Sequence, residues 1–165
     1  GTTVRYAQLF KCEQVLRSDC NRGVSGIDGS TSTAAGAACV GEEMTVLITG
    51  DMSFSYDVNG LSSTYLSPRF KIIVMCNGGG GIFRFIKPTS DLPELETCFE
   101  IHRDISVEKY ADLFGLRYFE LNDEKSAAEV LSLFFAEKDR PAILAVHTPN
   151  VYNAEVLRGY FRRSR

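Results

Sequence analysis

The sequence predicts an α/β domain, built as a three-layer α/β/α sandwich around a mostly parallel sheet. Three short runs have the near-continuous apolar character of strands that are covered on both faces: 44–50 (MTVLITG), 70–76 (FKIIVMC) and 142–147 (AILAVH). Helical patterns separate these runs, and strands that alternate with helices are typical of parallel sheets. Two weaker strand candidates are 13–18 (EQVLRS) and 117–121 (RYFEL).

Three segments predict helices around that sheet. In 106–115, apolar residues recur at helical spacing between Ser106, which can cap the start, and Gly115, which can close the end. The small residues of 29–40 (GSTSTAAGAACV) suit a helix that packs very closely against a neighbour. In 123–138 the apolar residues share one helical face: Ala127, Val130, Leu131 and Phe134.

Length and composition bound the class of protein. The chain has 165 residues, 44% of them hydrophobic and 24% charged, which predicts one globular domain over 1–165. A net charge of −3 disfavours a nucleic-acid-binding surface. No apolar stretch approaches the roughly 20 residues that span a bilayer, and no signal pattern is visible, so we expect a cytoplasmic protein. The five cysteines lack a CxxC pair and are expected to be buried thiols.

The residues that follow two of the predicted strands suggest a binding site. Asp51 follows the strand ending at Gly50, and Asn77 comes 26 positions later, directly after the next strand. Carboxylate, amide and carbonyl oxygens favour Mg²⁺ that is completed by phosphate oxygens. The glycines of 78–81 allow the backbone to approach a ligand closely, and N–H groups near the start of the following helix, including that of Ser53, suit a phosphate. Together these features predict a metal-bridged diphosphate site.

Simpler interpretations remain open at this point. Asp51 can be only the N-cap of the helix that follows it, and the four glycines can be a flexible loop. A dinucleotide site is disfavoured, since the glycines do not stand between a first strand and its helix. A flavodoxin-like or other nucleotide-binding module without catalysis is a further alternative.

Three blocks of sequence carry a resemblance to a known family: 21–36 (NRGVSGIDGSTSTAAG), 50–61 (GDMSFSYDVNGL) and 77–83 (NGGGGIF). The last two resemble the GDG and NN signature of thiamine diphosphate (ThDP) enzymes. All three together are similar to the cofactor-diphosphate domain of the MenD family, the 2-succinyl-5-enolpyruvyl-6-hydroxy-3-cyclohexene-1-carboxylate synthases. A domain of the acetolactate synthase or 2-oxoacid decarboxylase type is the nearest alternative, but its small neutral acceptors have less need of Arg22. One departure is Cys76, which stands where the family usually has the first asparagine.

The resemblance implies a ThDP site with Mg²⁺ or Mn²⁺. It implies that the metal ligands are Asp51, Asn77 and the carbonyl of Gly79. The implied cofactor-binding residues are Ser25, Gly26, Ile27, Gly50, Asp51, Met52, Ser53, Asn77 and Gly79, with Ile27 holding the cofactor in its bent conformation. The implied substrate-pocket residues are Arg5 and Arg22, which would bind carboxylates, and Ile82 and Phe83, which would line the pocket.

The implied activity is that of a carboligase in menaquinone biosynthesis. It decarboxylates 2-oxoglutarate and transfers the succinyl unit to isochorismate. Enzymes of this family have three domains and assemble as homodimers or homotetramers, in which the pyrimidine-binding domain of a neighbouring subunit completes each site. We therefore expect this chain to be one domain of such an enzyme, to turn over no substrate alone and to self-associate through an exposed apolar face.

Overall fold

The computed structural model describes residues 2–9, 15, 17–21, 23–24, 26–100 and 102–163. Of the weak strand prediction at 13–18, positions 13, 14 and 16 lie outside the described residues, and positions 15, 17 and 18 form no strand. Arg22 and Ser25 also lie outside the described residues. In the described part of the chain, no helix is both long and apolar enough to cross a membrane.

A four-stranded sheet forms the centre of the domain. Its strands are β1 (Thr45–Gly50), β2 (Phe70–Cys76), β3 (Arg117–Leu121) and β4 (Ala142–His147), in the order β1-β2-β4-β3 with every pair parallel. The fold class is confirmed, together with the three strong strand predictions and the weaker one at 117–121. Gly50 of β1 pairs with Met75 of β2, so both strands end at the same edge of the sheet.

Seven α-helices lie in the described residues. They are α1 (Thr2–Ala7), α2 (Ser30–Val40), α3 (Asp51–Tyr56), α4 (Ile82–Phe85), α5 (Val107–Phe114), α6 (Ala127–Ala136) and α7 (Asn150–Arg163). Three short 3-10 turns (Val58–Ser62, Thr89–Asp91 and Glu124–Ser126) and a π-helical turn (Leu95–Glu100) complete the connections.

Helices lie on both faces of the sheet, although Val46 and Ile48 leave one face of β1 exposed. On one face Phe134 of α6 packs against Ala142 and Leu144 of β4. The other face is covered by α2, α3 and α5, and its buried residues include Ala35, Ala38, Phe54, Ile72, Val74, Val107, Ala111, Ile143 and Ala145. Because β2 and β4 are covered on both sides, they are apolar along most of their length, and this pattern predicts them from the sequence.

Helix ends and close contacts follow the predicted chemistry. The Ser106 hydroxyl accepts a hydrogen bond from Lys109 N–H (3.3 Å), and Gly115 ends α5 in the left-handed region at φ 67°. Close packing of α2 is also confirmed, because a Cβ atom at Gly60 would lie 2.7 Å from the Cα of Ser32. The prediction of α6 is confirmed as well.

The prediction of buried thiols is wrong for most of the described cysteines. Cys20, Cys39 and Cys98 are exposed and Cys76 is half-buried, and none of these four forms a disulfide. The first three lie in or beside surface helices and loops rather than in the strands, so the sheet does not enclose them.

Candidate metal and diphosphate site

The carboxylate of Asp51 joins the ends of β1 and β2. Asp51 is the first residue of α3, directly after β1, and is only 3% exposed. Its Oδ2 accepts hydrogen bonds from the N–H groups of Asn77 (3.0 Å) and Gly78 (2.7 Å), and its Oδ1 accepts one from Met52 N–H (2.7 Å). The residues that follow the two strands are therefore in direct contact. Gly50 occupies the N-cap position of α3, so helix capping alone does not account for Asp51.

Burial changes the proton affinity of the groups at this edge. Desolvation raises the pKa of the Asp51 carboxyl, and hydrogen bonds from Gly78, Met52 and Asn77 N–H offset part of that rise. Burial, followed by the charge of Asp51, raises the pKa of the Cys76 thiol to about 12. Cys76 is therefore protonated at neutral pH and is not a nucleophilic thiolate. The ionised form of Asp51 is the one that a nearby cation would stabilise.

Backbone hydrogen bonds hold the glycine-rich loop 78–81 in place. Gly78 has a φ of 79°, a conformation that favours glycine. Its carbonyl accepts a hydrogen bond from Arg103 N–H (2.8 Å), and Gly80 N–H donates to the carbonyl of Glu100 (2.8 Å). The loop is thus tied to Glu100 and Arg103, in contrast to the alternative of a flexible loop.

A chain of polar side chains lies beneath this loop. The guanidinium of Arg84 donates to both carboxylate oxygens of Glu100, at 2.7 and 2.6 Å, and Glu100 is only 6% exposed. Glu100 Oε1 also accepts a hydrogen bond from Asn150 Nδ2 (2.9 Å). Asn150 Oδ1 in turn accepts one from Asn77 Nδ2 (3.4 Å). The side chain of Asn77 is therefore linked to a buried ion pair.

The segment that contains Ile27 is tied to α3. The hydroxyl of Ser53 donates to the carbonyl of Ile27 (2.5 Å), which places this half-buried residue beside the start of the helix. Gly26 next to it is exposed. This contact brings part of the block 21–36 to the Asp51 edge of the sheet.

The predicted substrate-pocket residues differ in their placement. Ile82 begins α4 directly after the glycine loop, and Phe83 packs against Phe99 with ring centroids 5.5 Å apart. Arg5 lies in α1, which contacts β1. Its side chain makes no hydrogen bond or ion pair with another described residue, so no contact joins it to the site.

A cleft of about 420 Å³ opens beside α3 and is lined in part by the positively charged side chain of Arg103. Its lining residues are Met52, Ser55, Tyr56, Arg103, Ile105 and Tyr110. Arg103 forms no ion pair with any described residue, and its backbone is fixed by the hydrogen bond to Gly78. The guanidinium gives this side of the site a positive charge, which favours anionic ligands.

Sequence reasoning missed Glu100, Arg84 and Asn150. A signal for Asn150 was present, because it follows β4, the parallel neighbour of β2, and side chains beyond parallel strands meet at one edge. Glu100 ends a π-helical turn without a recognisable periodicity, and no comparable signal marks it or its partner Arg84.

A divalent cation fits the donor atoms at this edge. Among the described residues, Asp51 Oδ1 accepts a single N–H and Asn77 Oδ1 accepts one hydrogen bond, from Gly79 N–H (3.4 Å), so both oxygens keep a lone pair. The Gly79 carbonyl also accepts one hydrogen bond, from Gly81 N–H (2.9 Å). Within the described ranges, no three His, Cys, Asp or Glu side chains form a metal-binding cluster. A few protein oxygens, completed by phosphate or water, are the ligands that Mg²⁺ prefers.

Comparison with known proteins identifies the domain. The family model of the thiamine pyrophosphate enzymes, C-terminal TPP binding domain, matches residues 1–146. The chain belongs to this family. Its cofactor as a TPP-binding domain is thiamine pyrophosphate, the compound named ThDP above. The dinucleotide and flavodoxin-like alternatives are therefore excluded.

Several curated relatives of this TPP-binding domain carry the same enzyme name. The 2-succinyl-5-enolpyruvyl-6-hydroxy-3-cyclohexene-1-carboxylate synthases of Porphyromonas gingivalis, Christiangramia forsetii and Flavobacterium johnsoniae are 47%, 42% and 43% identical to it. Each match covers 98% of this chain, and the chain spans 28–29% of the length of these relatives. The resemblance to the MenD family is confirmed.

Proposed function

We propose that this chain is the ThDP-diphosphate domain of a 2-succinyl-5-enolpyruvyl-6-hydroxy-3-cyclohexene-1-carboxylate synthase and that it binds its cofactor through Mg²⁺ or Mn²⁺. The observation that carries the proposal is the buried carboxylate of Asp51, which contacts both the start of α3 and the loop after Asn77. The names of the relatives support this synthase activity over an acetolactate synthase or 2-oxoacid decarboxylase.

Three oxygens would hold the metal: Asp51 Oδ1, Asn77 Oδ1 and the carbonyl of Gly79. The diphosphate would complete the coordination and lie against the backbone of Gly50, Met52 and Ser53. The other end of the cofactor would contact Ser25, Gly26 and Ile27. When bound, ThDP supplies the chemistry that breaks the bond between a carboxylate and the neighbouring ketone carbon.

The other proposed residues orient the ligands and exclude water. Ile27 supplies apolar support, and the hydrogen bond from Ser53 to its carbonyl limits its movement. Ile82 and Phe83 provide apolar side chains beside the glycine loop, and Phe83 packs against Phe99. Arg5 and Arg22 would bind the carboxylates of 2-oxoglutarate and isochorismate, since guanidinium groups match carboxylates in a bidentate manner.

The complete reaction needs more than this chain. Residues 1–165 would be one domain of a three-domain cytoplasmic enzyme that acts in menaquinone biosynthesis. The pyrimidine-binding domain of a neighbouring subunit would close the site in a homodimer or homotetramer. Accordingly, the chain alone binds ThDP weakly and converts no 2-oxoglutarate.

Titration calorimetry with ThDP tests the cofactor site. The unmodified chain should bind ThDP only when Mg²⁺ or Mn²⁺ is present, and Asp51→Ala and the closer isostere Asp51→Asn should both lose this metal-dependent binding. Asp112→Ala, an exposed position on α5, is the matched control, and circular dichroism should show that all variants are folded. The proposal would be refuted if folded Asp51 variants bound ThDP as well as the unmodified chain, or if ThDP binding did not depend on the metal.

An assay of the full-length parent protein tests the activity. With 2-oxoglutarate, isochorismate, ThDP and Mg²⁺ it should form the succinyl adduct, whereas the chain alone should form none. Product from the chain alone, or no product from the parent protein, would contradict the proposed reaction.

A further inference from the structure

We infer that Asn150 is a positioning residue that fixes the side-chain amide of Asn77 so that the oxygen, and not the nitrogen, faces the divalent cation. The inference rests on the proposed function, because the cation belongs to it. An asparagine amide can turn by half a rotation and exchange its acceptor for its donors, and only its hydrogen-bond partners decide between the two orientations.

Glu100 determines the orientation of the Asn150 amide. Both of its carboxylate oxygens accept hydrogen bonds from the guanidinium of Arg84, at 2.7 and 2.6 Å, so this carboxylate is an acceptor. Its Oε1 is also 2.9 Å from the amide of Asn150. Only the NH₂ group of Asn150 can donate to a carboxylate, so the nitrogen of Asn150 faces Glu100.

The orientation of the Asn150 amide determines that of the Asn77 amide. With its nitrogen on Glu100, Asn150 presents its Oδ1 to Asn77, at 3.4 Å from Nδ2. An oxygen in this position requires a donor, so the NH₂ group of Asn77 faces Asn150. The Oδ1 of Asn77 then lies on the side of the glycine loop, where its described hydrogen-bond donor is Gly79 N–H at 3.4 Å. An amide oxygen has two lone pairs, so one of them is still available to a metal.

Two further contacts fix the position of the two amides relative to the glycine loop. Glu100 binds the loop directly, because its backbone carbonyl accepts the Gly80 N–H (2.8 Å). Gly81 lies against both amides: a Cβ atom built there would overlap Asn150 Oδ1 and lie 2.6 Å from Asn77 Nδ2. The space for the amide pair therefore depends on the absence of a side chain at Gly81.

A double-mutant cycle between positions 150 and 77 tests the inference. Asn150→Ala removes the group that orients the amide, whereas Asn77→Asp places two equivalent acceptor oxygens at position 77 and makes orientation irrelevant. Mn²⁺ affinity in the presence of ThDP, measured by electron paramagnetic resonance, should fall roughly 10- to 100-fold for Asn150→Ala, as for other residues that orient metal ligands. In the Asn77→Asp background, Asn150→Ala should change the affinity by no more than about twofold.

The cycle separates positioning from a general structural effect. A loss from Asn150→Ala that is the same in both backgrounds would overturn the inference, and so would full affinity in the Asn150→Ala variant.

Gly81→Ala perturbs the same amide pair from another side. The φ of −53° at Gly81 suits alanine, so the added methyl group acts by displacing the two amides and not through backbone strain, and the fold should survive. Its Mn²⁺ affinity should fall in the same direction as that of Asn150→Ala. Gly159→Ala in α7, where nothing lies within 4 Å of the added methyl group, should leave the affinity unchanged. Full affinity in folded Gly81→Ala would contradict the inference.

A measurement without metal keeps this inference distinguishable from the proposed function. The side-chain amide protons of Asn77, identified in NMR spectra by their loss in Asn77→Asp, should exchange with water about fivefold faster in Asn150→Ala, as expected for the loss of one hydrogen bond. Unchanged exchange overturns the orientation by Asn150. If exchange changes as expected but the unmodified chain binds no Mn²⁺ with ThDP, the orientation stands and the proposed metal site fails.

Discussion

Gly78 controls the Asp51 site at the scale of a single residue. Its N–H donates to Asp51 and its carbonyl accepts from Arg103, so this residue links the acid to the segment that contains Arg103. Two separate constraints require glycine there. Its φ is 79°, and a Cβ atom would overlap the ring of His102.

Replacement of Gly78 by alanine should therefore cost more than backbone strain alone. Strain in the left-handed region is of order 1–3 kcal/mol in the free energy of unfolding. Gly115→Ala, at φ 67° with nothing within 4 Å of the added methyl group, carries only that strain. Urea unfolding followed by circular dichroism should show a larger loss for Gly78→Ala, and His102→Ala should recover the difference. Equal losses for the two alanine variants would show that the contact with His102 is unimportant.

The sequence could predict the meeting of Asp51 and Asn77 but not the partners of Asn77. Residues that follow neighbouring parallel strands must leave the sheet at the same edge, whatever the side-chain detail. The link to Glu100 depends instead on the path of the Leu95–Glu100 turn and on the rotamers of two amides. Neither has a periodic pattern that could be read from the chain.

At the scale of elements, β2 contains one residue that its apolar pattern does not explain. Lys71 is 1% exposed, and its Nζ donates to the carbonyl of Glu137 at the end of α6 (2.6 Å), with the ring of Phe134 6.0 Å away. A cation near a helix C-terminus is favourable, and the contact joins the strand to the helix that covers it. The apolar pattern of 70–76 predicts a strand, but it does not indicate which acceptor the buried ammonium group of Lys71 contacts.

The unfolding free energy should depend on Lys71 at alkaline pH. Burial lowers the pKa of Lys71 below its ordinary value of 10.5, so between the lowered pKa and 10.5 the unfolded chain binds more protons than the folded chain. Stability of the unmodified chain relative to Lys71→Met should therefore rise as the pH increases from neutral toward 10.5, and fall again as the pH is lowered.

Urea unfolding over this pH range measures the effect. Lys109→Met, at an exposed position on α5, is the matched control for loss of a positive charge. A difference between unmodified chain and Lys71→Met that stays constant, or shrinks, as the pH rises would contradict the role given to burial.

At the scale of the whole molecule, α7 exposes an apolar stripe opposite its packed face. Tyr152, Val156 and Tyr160 recur every four residues and are 62%, 50% and 42% exposed, whereas Ala154 and Leu157 are buried. A contiguous apolar surface of this kind is a common site of association. The chain spans only 28% of the Porphyromonas gingivalis relative, so the amino-acid pattern of this domain could not reveal what covers the stripe in a longer protein.

We expect the isolated chain to self-associate through this stripe. Light scattering should show a mass that rises with concentration, and the double variant Tyr152→Lys with Val156→Lys should shift the chain toward monomer. Leu113→Lys, at an isolated exposed position on α5, should not. A chain that is monomeric at every concentration would contradict this expectation.

Anomalous diffraction from crystals of the chain grown with Mn²⁺ and ThDP tests the central claim most directly. We predict one strong manganese peak at about 2 Å from Asp51 Oδ1 and from Asn77 Oδ1, with diphosphate oxygens in the same coordination shell. A manganese peak elsewhere, or ThDP bound while these two oxygens contact no common ion, would contradict the account.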